Sequence, residues 1–273
     1  MGLLKRWFSF YVFGNIHVGL AAYCLTQITL SEFSIVNRSL PAFIFFSTIL
    51  AYNFIRVFQI DRINGMIAAW IRSNKRPLVL LNAGCLGLVI HFSLDFDFYE
   101  LLILLPFLLT SVFYVVPLSR NIRGLRNIPG LKLFLISFTW AGVTLYFPLF
   151  VSGLEDMDGL WMVFTQRLLF IMAITIPFDI RDAQFDFPDL KTVPQLIGIN
   201  NSKWVATVAM IIFVLLELTR NESTTTFFAV ALVIAAVSVV SILFARVRQK
   251  RFYSSFWVES IPVLWYLLLI IFR

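Results

Sequence analysis

The chain has 273 residues, of which 60% are hydrophobic and 14% are charged, and it contains 30 phenylalanines. This composition excludes a soluble globular protein and indicates a polytopic helical membrane protein. The net charge of +7 is explained in such a chain by basic loops that set topology, so no nucleic-acid partner is predicted.

Apolar stretches of about 20 residues, the length that a bilayer core requires, follow one another along the whole chain. Nine spans are predicted, at 7–30, 39–58, 77–94, 98–118, 131–153, 159–178, 203–219, 225–245 and 253–272. No soluble segment of domain size remains between them, so residues 1–273 are interpreted as one all-α transmembrane domain. Lys5 and Arg6 precede the first span as in a signal peptide, but no small-residue cleavage site follows, which favours a retained span.

The basic residues predict the orientation. If the N-terminus is cytoplasmic, most of the 22 lysine and arginine residues fall in inner segments, as the positive-inside rule requires. In a bacterial cell, the compartment would be the cytoplasmic membrane. The acidic residues are mostly on the outer side, and the inner ones are confined to the loops after spans two and six. Two loops in equivalent places suggest one site built from both.

The loop after span six carries four carboxylates within eleven residues: Asp179, Asp182, Asp186 and Asp189. If the helix continues, the first three share one face. Like charges on one face repel unless a cation lies between them, and ligand sets made only of oxygen suit Mg²⁺ or Ca²⁺. The alternative is a solvated acidic loop. Cys24 and Cys85 lie in apolar runs and indicate neither a disulfide nor a zinc site.

The loop after span two offers an amide, a guanidinium and a carboxylate from Asn53, Arg56 and Asp61. Asn53 and Asp61 lie about 80° apart on an ideal helix, so they can face one cavity. Lys75 and Arg76 precede span three.

Further basic residues lie in the other inner loops, at Arg120, Arg123 and Lys191. Carboxylates that hold Mg²⁺ beside lysine and arginine side chains form a recurring arrangement for binding diphosphate. Because these charged residues lie at the inner end of an apolar helical bundle, the expected substrate has a diphosphate head and a hydrocarbon tail. Metal and cations would then stabilise the departing diphosphate.

The acid segment also resembles a known family. DIRDAQFD followed by KTVPQLIG is similar to the DxxxD motif and the basic-Thr-x-Pro segment of the UbiA superfamily of intramembrane prenyltransferases. SNKRPL and YVVPLSRNIRGLRNIPG resemble two further segments of that family. The resemblance covers nearly the whole chain and implies a nine-helix bundle. It assigns metal, diphosphate and catalytic roles to Asp182 and Asp186, with Asp179 as a helper.

The first motif departs from the family pattern NDxxDxxxD. Asn53 and Asp61 match its first and last positions, which places Asp61 among the metal-binding and catalytic residues, but Phe54 and Val57 replace the two acids between them. We expect Arg56 to bind diphosphate directly in place of one metal ion.

The resemblance implies a membrane prenyltransferase that moves a prenyl group from a Mg²⁺-bound polyprenyl diphosphate to a hydrophobic acceptor, which could be aromatic or a lipid. The acids missing from the first motif favour an alternative, a non-catalytic UbiA-like protein that binds lipid or assists another protein. A transporter with acids as cation sites is a third hypothesis, opposed by the position of the acids at one membrane face.

Three isolated polar residues lie inside predicted spans. Glu259, roughly 9 Å from the inner end at 1.5 Å per residue, is interpreted either as a base toward the acceptor or as the partner of a cation. Arg167 is expected to extend outward to the membrane surface. His17 is expected to be a hydrogen-bonded interior group.

Overall fold

The structure is a computed structural model that describes residues 2–58, 66–116, 128, 130–183, 191–220 and 224–272. Every regular element in these ranges is a helix, which confirms the all-α prediction. The helices are α1 Leu3–Phe13, α2 Ile16–Glu32, α3 Ser39–Phe58, α4 Met66–Ser73, α5 Lys75–Ser93, α6 Phe98–Leu102, α7 Leu105–Val115, α8 Leu131–Ala141, π1 Gly142–Tyr146, α9 Phe147–Val151, α10 Leu160–Asp182, α11 Val193–Ile197, α12 Ile199–Thr219, α13 Thr225–Phe244, π2 Tyr253–Val258 and α14 Ile261–Phe272.

Seven helices in the described ranges are long and apolar enough to cross a membrane. The bent pair α1 and α2, which meet at 54°, makes an eighth if the pair counts as one span. The predicted fourth span corresponds to the shorter apolar helix Phe98–Tyr114. The chain therefore folds as a multi-pass membrane protein, and the count of nine spans stays a prediction.

The spans pack in an order that closes a ring. Helix α2 contacts α3 and α14, and α10 contacts α8 and α12. The contacts of α3 with α7, of α7 with α8, of α12 with α13 and of α13 with α14 complete the circuit, while α5 lies against α3. Because helix interfaces in a membrane depend on close packing, this order decides which polar residues can meet.

The largest core cluster includes an aromatic group between α10, α12 and α14. The Phe170 and Trp265 ring centroids are 5.0 Å apart, and Phe213 lies 5.5 Å from Trp265. Phe170 and Phe213 are fully buried. Many large apolar side chains, such as Trp161 and Trp204, are exposed instead, as expected for helices that face lipid.

Gly142, at the start of π1, allows close contact between the fifth predicted span and α7. A Cβ built there would lie 1.9 Å from Cε1 of Phe107, whose ring is buried and packs on Phe138. We therefore expect Gly142→Ala to destabilise the fold by about 1–3 kcal/mol through overpacking. Thermal denaturation in detergent measures this, with Gly84→Ala as the control because no atom lies within 4 Å of its Cβ position. Equal melting temperatures for the two variants would contradict the expectation.

The hydrogen bonds between helices define two ends of the bundle. At one end, which we call the motif end, α3 and α10 finish while α5 and α8 begin. Phe13 meets Arg56 at this end, and Lys132 meets Asp179. The opposite end contains the last residues of α2 and α12.

Candidate functional site at the motif end

Both helices that lead into the predicted acid motifs end in the same region. Helix α3 ends at Phe58, and α10 ends at Asp182. Asp61 and Asp186 follow these ends by a few residues, and they lie outside the described residues, as does Asp189. The structure therefore brings together the helix ends from which the two motif segments begin, while the positions of these three carboxylates stay predictions.

Arg181 and Asp182 form a two-bond ion pair at the end of α10. Arg181 Nε donates to Asp182 Oδ1 at 2.7 Å, and Arg181 Nη2 donates to Asp182 Oδ2 at 2.9 Å. Arg181 Nη1 also donates to Ser255 Oγ at 2.9 Å, which connects α10 to π2. Both charged side chains are partly accessible, with exposed fractions of 25% and 33%. Asp182 thus presents a carboxylate that a ligand can reach.

Asp179, one turn earlier, has a different environment. Its side chain is almost completely buried, and its Oδ1 atom lies 2.7 Å from Nζ of Lys132 on α8. Neither carboxylate oxygen has a partner with good hydrogen-bond geometry. The two described acids of the cluster therefore have separate cationic partners. In the described part of the chain, no three His, Cys, Asp or Glu residues meet in a metal-binding group.

Arg56 extends from α3 across to α1, where its Nη1 atom donates to the carbonyl oxygen of Phe13 at 2.8 Å. Its guanidinium also interacts electrostatically with Glu259, Arg181 and Asp182. These four residues, Arg56, Arg181, Asp182 and Glu259, form what we call the motif-end charge cluster. Its two positive and two negative side chains come from α3, α10 and the junction between π2 and α14.

Asn53 connects α3 to α5 and to the break between α1 and α2. Its Nδ2 atom donates to Asn82 Oδ1 at 2.8 Å and to the Gly14 carbonyl oxygen at 3.3 Å, and its Oδ1 accepts from Asn15 Nδ2 at 2.7 Å. Asn53 was predicted to bind substrate, and its amide is here occupied by protein partners. Asn15 and Asn82 were not predicted; an amide inside an apolar run was the signal for each.

The remaining predicted cations occupy two kinds of position. Lys75 and Arg76, at the start of α5, and Lys191, before α11, have exposed side chains. The Lys191 carbonyl oxygen accepts from the Gly130 amide at 3.3 Å, which joins two of the predicted inner loops. Arg120 and Arg123 lie outside the described residues.

Glu259 occupies the break between π2 and α14. Its side chain is partly buried, and it interacts electrostatically with both Arg56 and Arg181. Tyr52 on α3 and Tyr11 on α1 are also within its electrostatic reach. Two cations therefore lie within electrostatic range of Glu259, but among the described residues no salt bridge to it is seen, and both interpretations from sequence stay hypotheses.

His17 is a hydrogen-bonded interior residue, as predicted. The Tyr11 hydroxyl lies 2.8 Å from its Nδ1 atom. Its Nε2 atom lies 3.1 Å from both the Phe256 carbonyl oxygen and the Ser260 hydroxyl. These bonds connect the start of α2 to π2 and to the residue beside Glu259.

At the opposite end, the prediction that the Arg167 side chain extends outward is wrong. It does not extend to the membrane surface: its exposed fraction is 3%. Its Nη1 atom donates to the Leu25 carbonyl oxygen at 3.0 Å, and its Nη2 atom donates to Thr29 Oγ1 at 3.1 Å. The guanidinium also lies 5.6 Å from the ring centroid of Trp265. Nearby groups that satisfy its donors make burial cheaper than extension to the surface.

Two glutamates and a second arginine complete a buried network with Arg167. Arg220 pairs with Glu32 and lies 3.3 Å from Glu217, which accepts from Gln166 Nε2 at 2.7 Å. Burial alone would lower the pKa of Arg220, but the two carboxylates raise it above its usual value. We call Glu32, Gln166, Arg167, Glu217 and Arg220 the opposite-end network. Its members other than Arg220 help to line a small cavity with room for about one water molecule, which is too small for a substrate.

Comparison of the chain with protein-family models, curated proteins and solved structures finds no match.

Proposed function

We propose that the protein is a membrane prenyltransferase that transfers a prenyl group from a polyprenyl diphosphate to a hydrophobic acceptor. In this proposal the motif end faces the cytoplasm and the prenyl chain extends between apolar helices. The single observation that carries the proposal is the convergence of α3 and α10 at one charge cluster, because the two predicted acid motifs begin at the ends of these helices. The sequence resemblance to the UbiA superfamily supports the same reaction.

The cations of the cluster have the chemistry needed for the diphosphate head. Arg56 and Arg181 are partly accessible, and a guanidinium binds phosphate oxygens through two parallel hydrogen bonds. Exposed Lys75, Arg76 and Lys191 would add positive charge from the surrounding loops. These side chains would bind and orient the diphosphate and would stabilise negative charge as the prenyl C1–O bond breaks.

The described acids fit a Mg²⁺ ion in part. Asp182 has an accessible carboxylate, whereas Asp179 is buried against Lys132. We therefore assign the metal to Asp182 with Asp186 and Asp61, and we assign Asp179 to support of this end of α10. When bound, Mg²⁺ would neutralise charge on the diphosphate oxygens.

A second candidate function is a non-catalytic lipid-binding protein. One observation favours it: Phe54 and Val57 replace the expected acids on α3, and neither apolar side chain can ligate Mg²⁺. Such a protein would bind a diphosphate lipid without releasing diphosphate.

The test measures Mg²⁺-dependent binding and turnover of radiolabelled farnesyl diphosphate by purified protein in detergent, with EDTA as the metal-free control. Because no acceptor is added, water takes the prenyl group, and release of labelled diphosphate only with Mg²⁺ supports the transferase. Binding without this release favours the non-catalytic alternative. Absence of binding by folded protein rejects both.

A further inference from the structure

We propose that Arg251 is the centre of a binding site for an anionic phospholipid on the membrane surface at the motif end. The lipid phosphate would bind the Arg251 guanidinium, and the acyl chains would lie beside apolar side chains of α1. This inference is independent of prenyl transfer. It rests on contacts between α1 and residues 245–252, which we call the α13–π2 segment because they join these two elements.

Arg251 has aromatic neighbours but no anionic one. Its guanidinium lies 4.7 Å from the ring centroid of Phe13 and 5.1 Å from that of Phe252. The side chain is partly buried, and its Nε atom is buried without a hydrogen-bond partner. Within the part of the chain that the structure describes, no carboxylate pairs with Arg251. Aromatic rings offset only part of the cost of removing a cation from water, so an anionic ligand would stabilise this guanidinium.

Aromatic contacts hold α1 against the α13–π2 segment. The ring centroid of Phe8 lies 4.9 Å from that of Phe252 and 5.0 Å from that of Phe256. Phe13 stacks on Phe252 with 5.8 Å between the centroids. Because Arg251 directly precedes Phe252, these contacts fix its position relative to α1. The site is therefore formed by two parts of the chain that lie far apart in sequence.

The surface around Arg251 carries positive charge. Lys5 and Arg6 on α1 and Lys250 on the α13–π2 segment have exposed side chains. Neither α1 nor the α13–π2 segment contains an aspartate or a glutamate. Clusters of lysine and arginine beside a membrane span attract the headgroups of anionic lipids. The charge of this surface is thus complementary to that of an anionic headgroup.

Apolar side chains on α1 favour a lipid over a soluble phosphate. Leu3, Leu4 and Trp7 are exposed by 72%, 83% and 66%. They share the first turns of α1 with Lys5 and Arg6, and α1 is inclined by 54° to α2. Exposed tryptophan beside basic residues is typical of a helix at the membrane–water interface. A soluble phosphate would leave these apolar side chains in water, whereas the acyl chains of a phospholipid would cover them.

Native mass spectrometry of delipidated protein in detergent tests the proposal. It measures binding of dioleoylphosphatidylglycerol and of the zwitterionic dioleoylphosphatidylcholine. We expect the first phosphatidylglycerol to bind about tenfold or more tightly than phosphatidylcholine. Arg251→Gln should remove most of this preference, because charged hydrogen bonds to the phosphate are lost. Arg38→Gln, which changes an exposed arginine at the opposite end, is the matched control and should keep the preference.

A second variant leaves the aromatic contacts intact. Lys5→Gln combined with Arg6→Gln changes two exposed side chains and should weaken phosphatidylglycerol binding about fivefold or more, since each cation near a membrane surface attracts anionic lipid. Melting temperatures show that every variant is folded. Two competitors identify the ligand: glycerophosphoglycerol, which is the headgroup without acyl chains, and farnesyl diphosphate.

Three results would overturn the inference. The first is an equal lipid preference in folded Arg251→Gln and Arg38→Gln. The second is displacement of phosphatidylglycerol by glycerophosphoglycerol at the concentration at which the lipid itself competes, which would identify a site for soluble phosphate. The third is displacement by farnesyl diphosphate at a lower concentration than by the lipid, which would assign Arg251 to the prenyl substrate.

Discussion

Asp182→Asn is expected to lower the rate of Mg²⁺-dependent diphosphate release by roughly 100-fold or more, with little change in stability. The rate falls because the variant lacks an accessible carboxylate that would hold the metal beside the developing negative charge. In enzymes, loss of one group that stabilises such charge commonly lowers the rate by about this factor. The stability change is small because the ion pair with Arg181 is partly solvated. Radiolabelled diphosphate release and a melting curve in the same detergent measure the two effects.

Asp179→Asn is the matched comparison, since it makes the same chemical change one helical turn away. Because Asp179 is buried 2.7 Å from Nζ of Lys132, this variant should lose stability, by about 3 to 5 kcal/mol for a broken buried pair. Its folded fraction should keep the Mg²⁺ dependence of the unchanged protein. The assignment of the metal to Asp182 would be rejected if Asp179→Asn lost the Mg²⁺ response and Asp182→Asn kept it.

Arg167→Met is expected to destabilise the fold by about 3 kcal/mol or more, the largest stability effect that we predict in the opposite half of the bundle, because hydrogen bonds from a charged donor contribute about 1.5–3 kcal/mol each. The change removes the hydrogen bonds of Arg167 to Leu25 and Thr29. It also leaves Arg220 as the one arginine beside the two glutamates of the network, Glu32 and Glu217. Thermal denaturation in detergent, followed by the fraction that remains monodisperse, measures the loss.

The exposed Arg248 gives the control for this prediction, because Arg248→Met removes the same charge without burial. A melting temperature for Arg167→Met equal to that of Arg248→Met would show that the network does not stabilise the fold.

The chain order of the apolar segments predicts the spans well because a bilayer imposes a length on each helix. Helices at Ser39–Phe58, Leu160–Asp182 and Thr225–Phe244 agree closely with the predicted segments. The fourth predicted span was less well defined, since Phe98–Tyr114 is short. Length and hydropathy are local properties, and they say nothing about which helices become neighbours.

Arg167 shows where local reasoning fails. Its position inside an apolar segment suggested that the side chain would extend toward water. The acceptors that make burial favourable, Leu25, Thr29 and Thr144, are more than twenty residues away in sequence. No sequence pattern around position 167 predicts these acceptors, because they become its neighbours only when α2, π1 and α10 pack together.

The sequence by itself determined that this is a helical membrane protein, and it pointed to the segments after α3 and α10 as the chemical centre, because hydrophobic length and charge clusters are visible along the chain. The tertiary structure alone decided that Arg56 and Arg181 lie within electrostatic range of Glu259 and that Asp179 pairs with Lys132. The physical reason is that a charge inside a membrane is stable only beside partners that satisfy it. Those partners lie on other helices, so helix packing assigns the role of each charge.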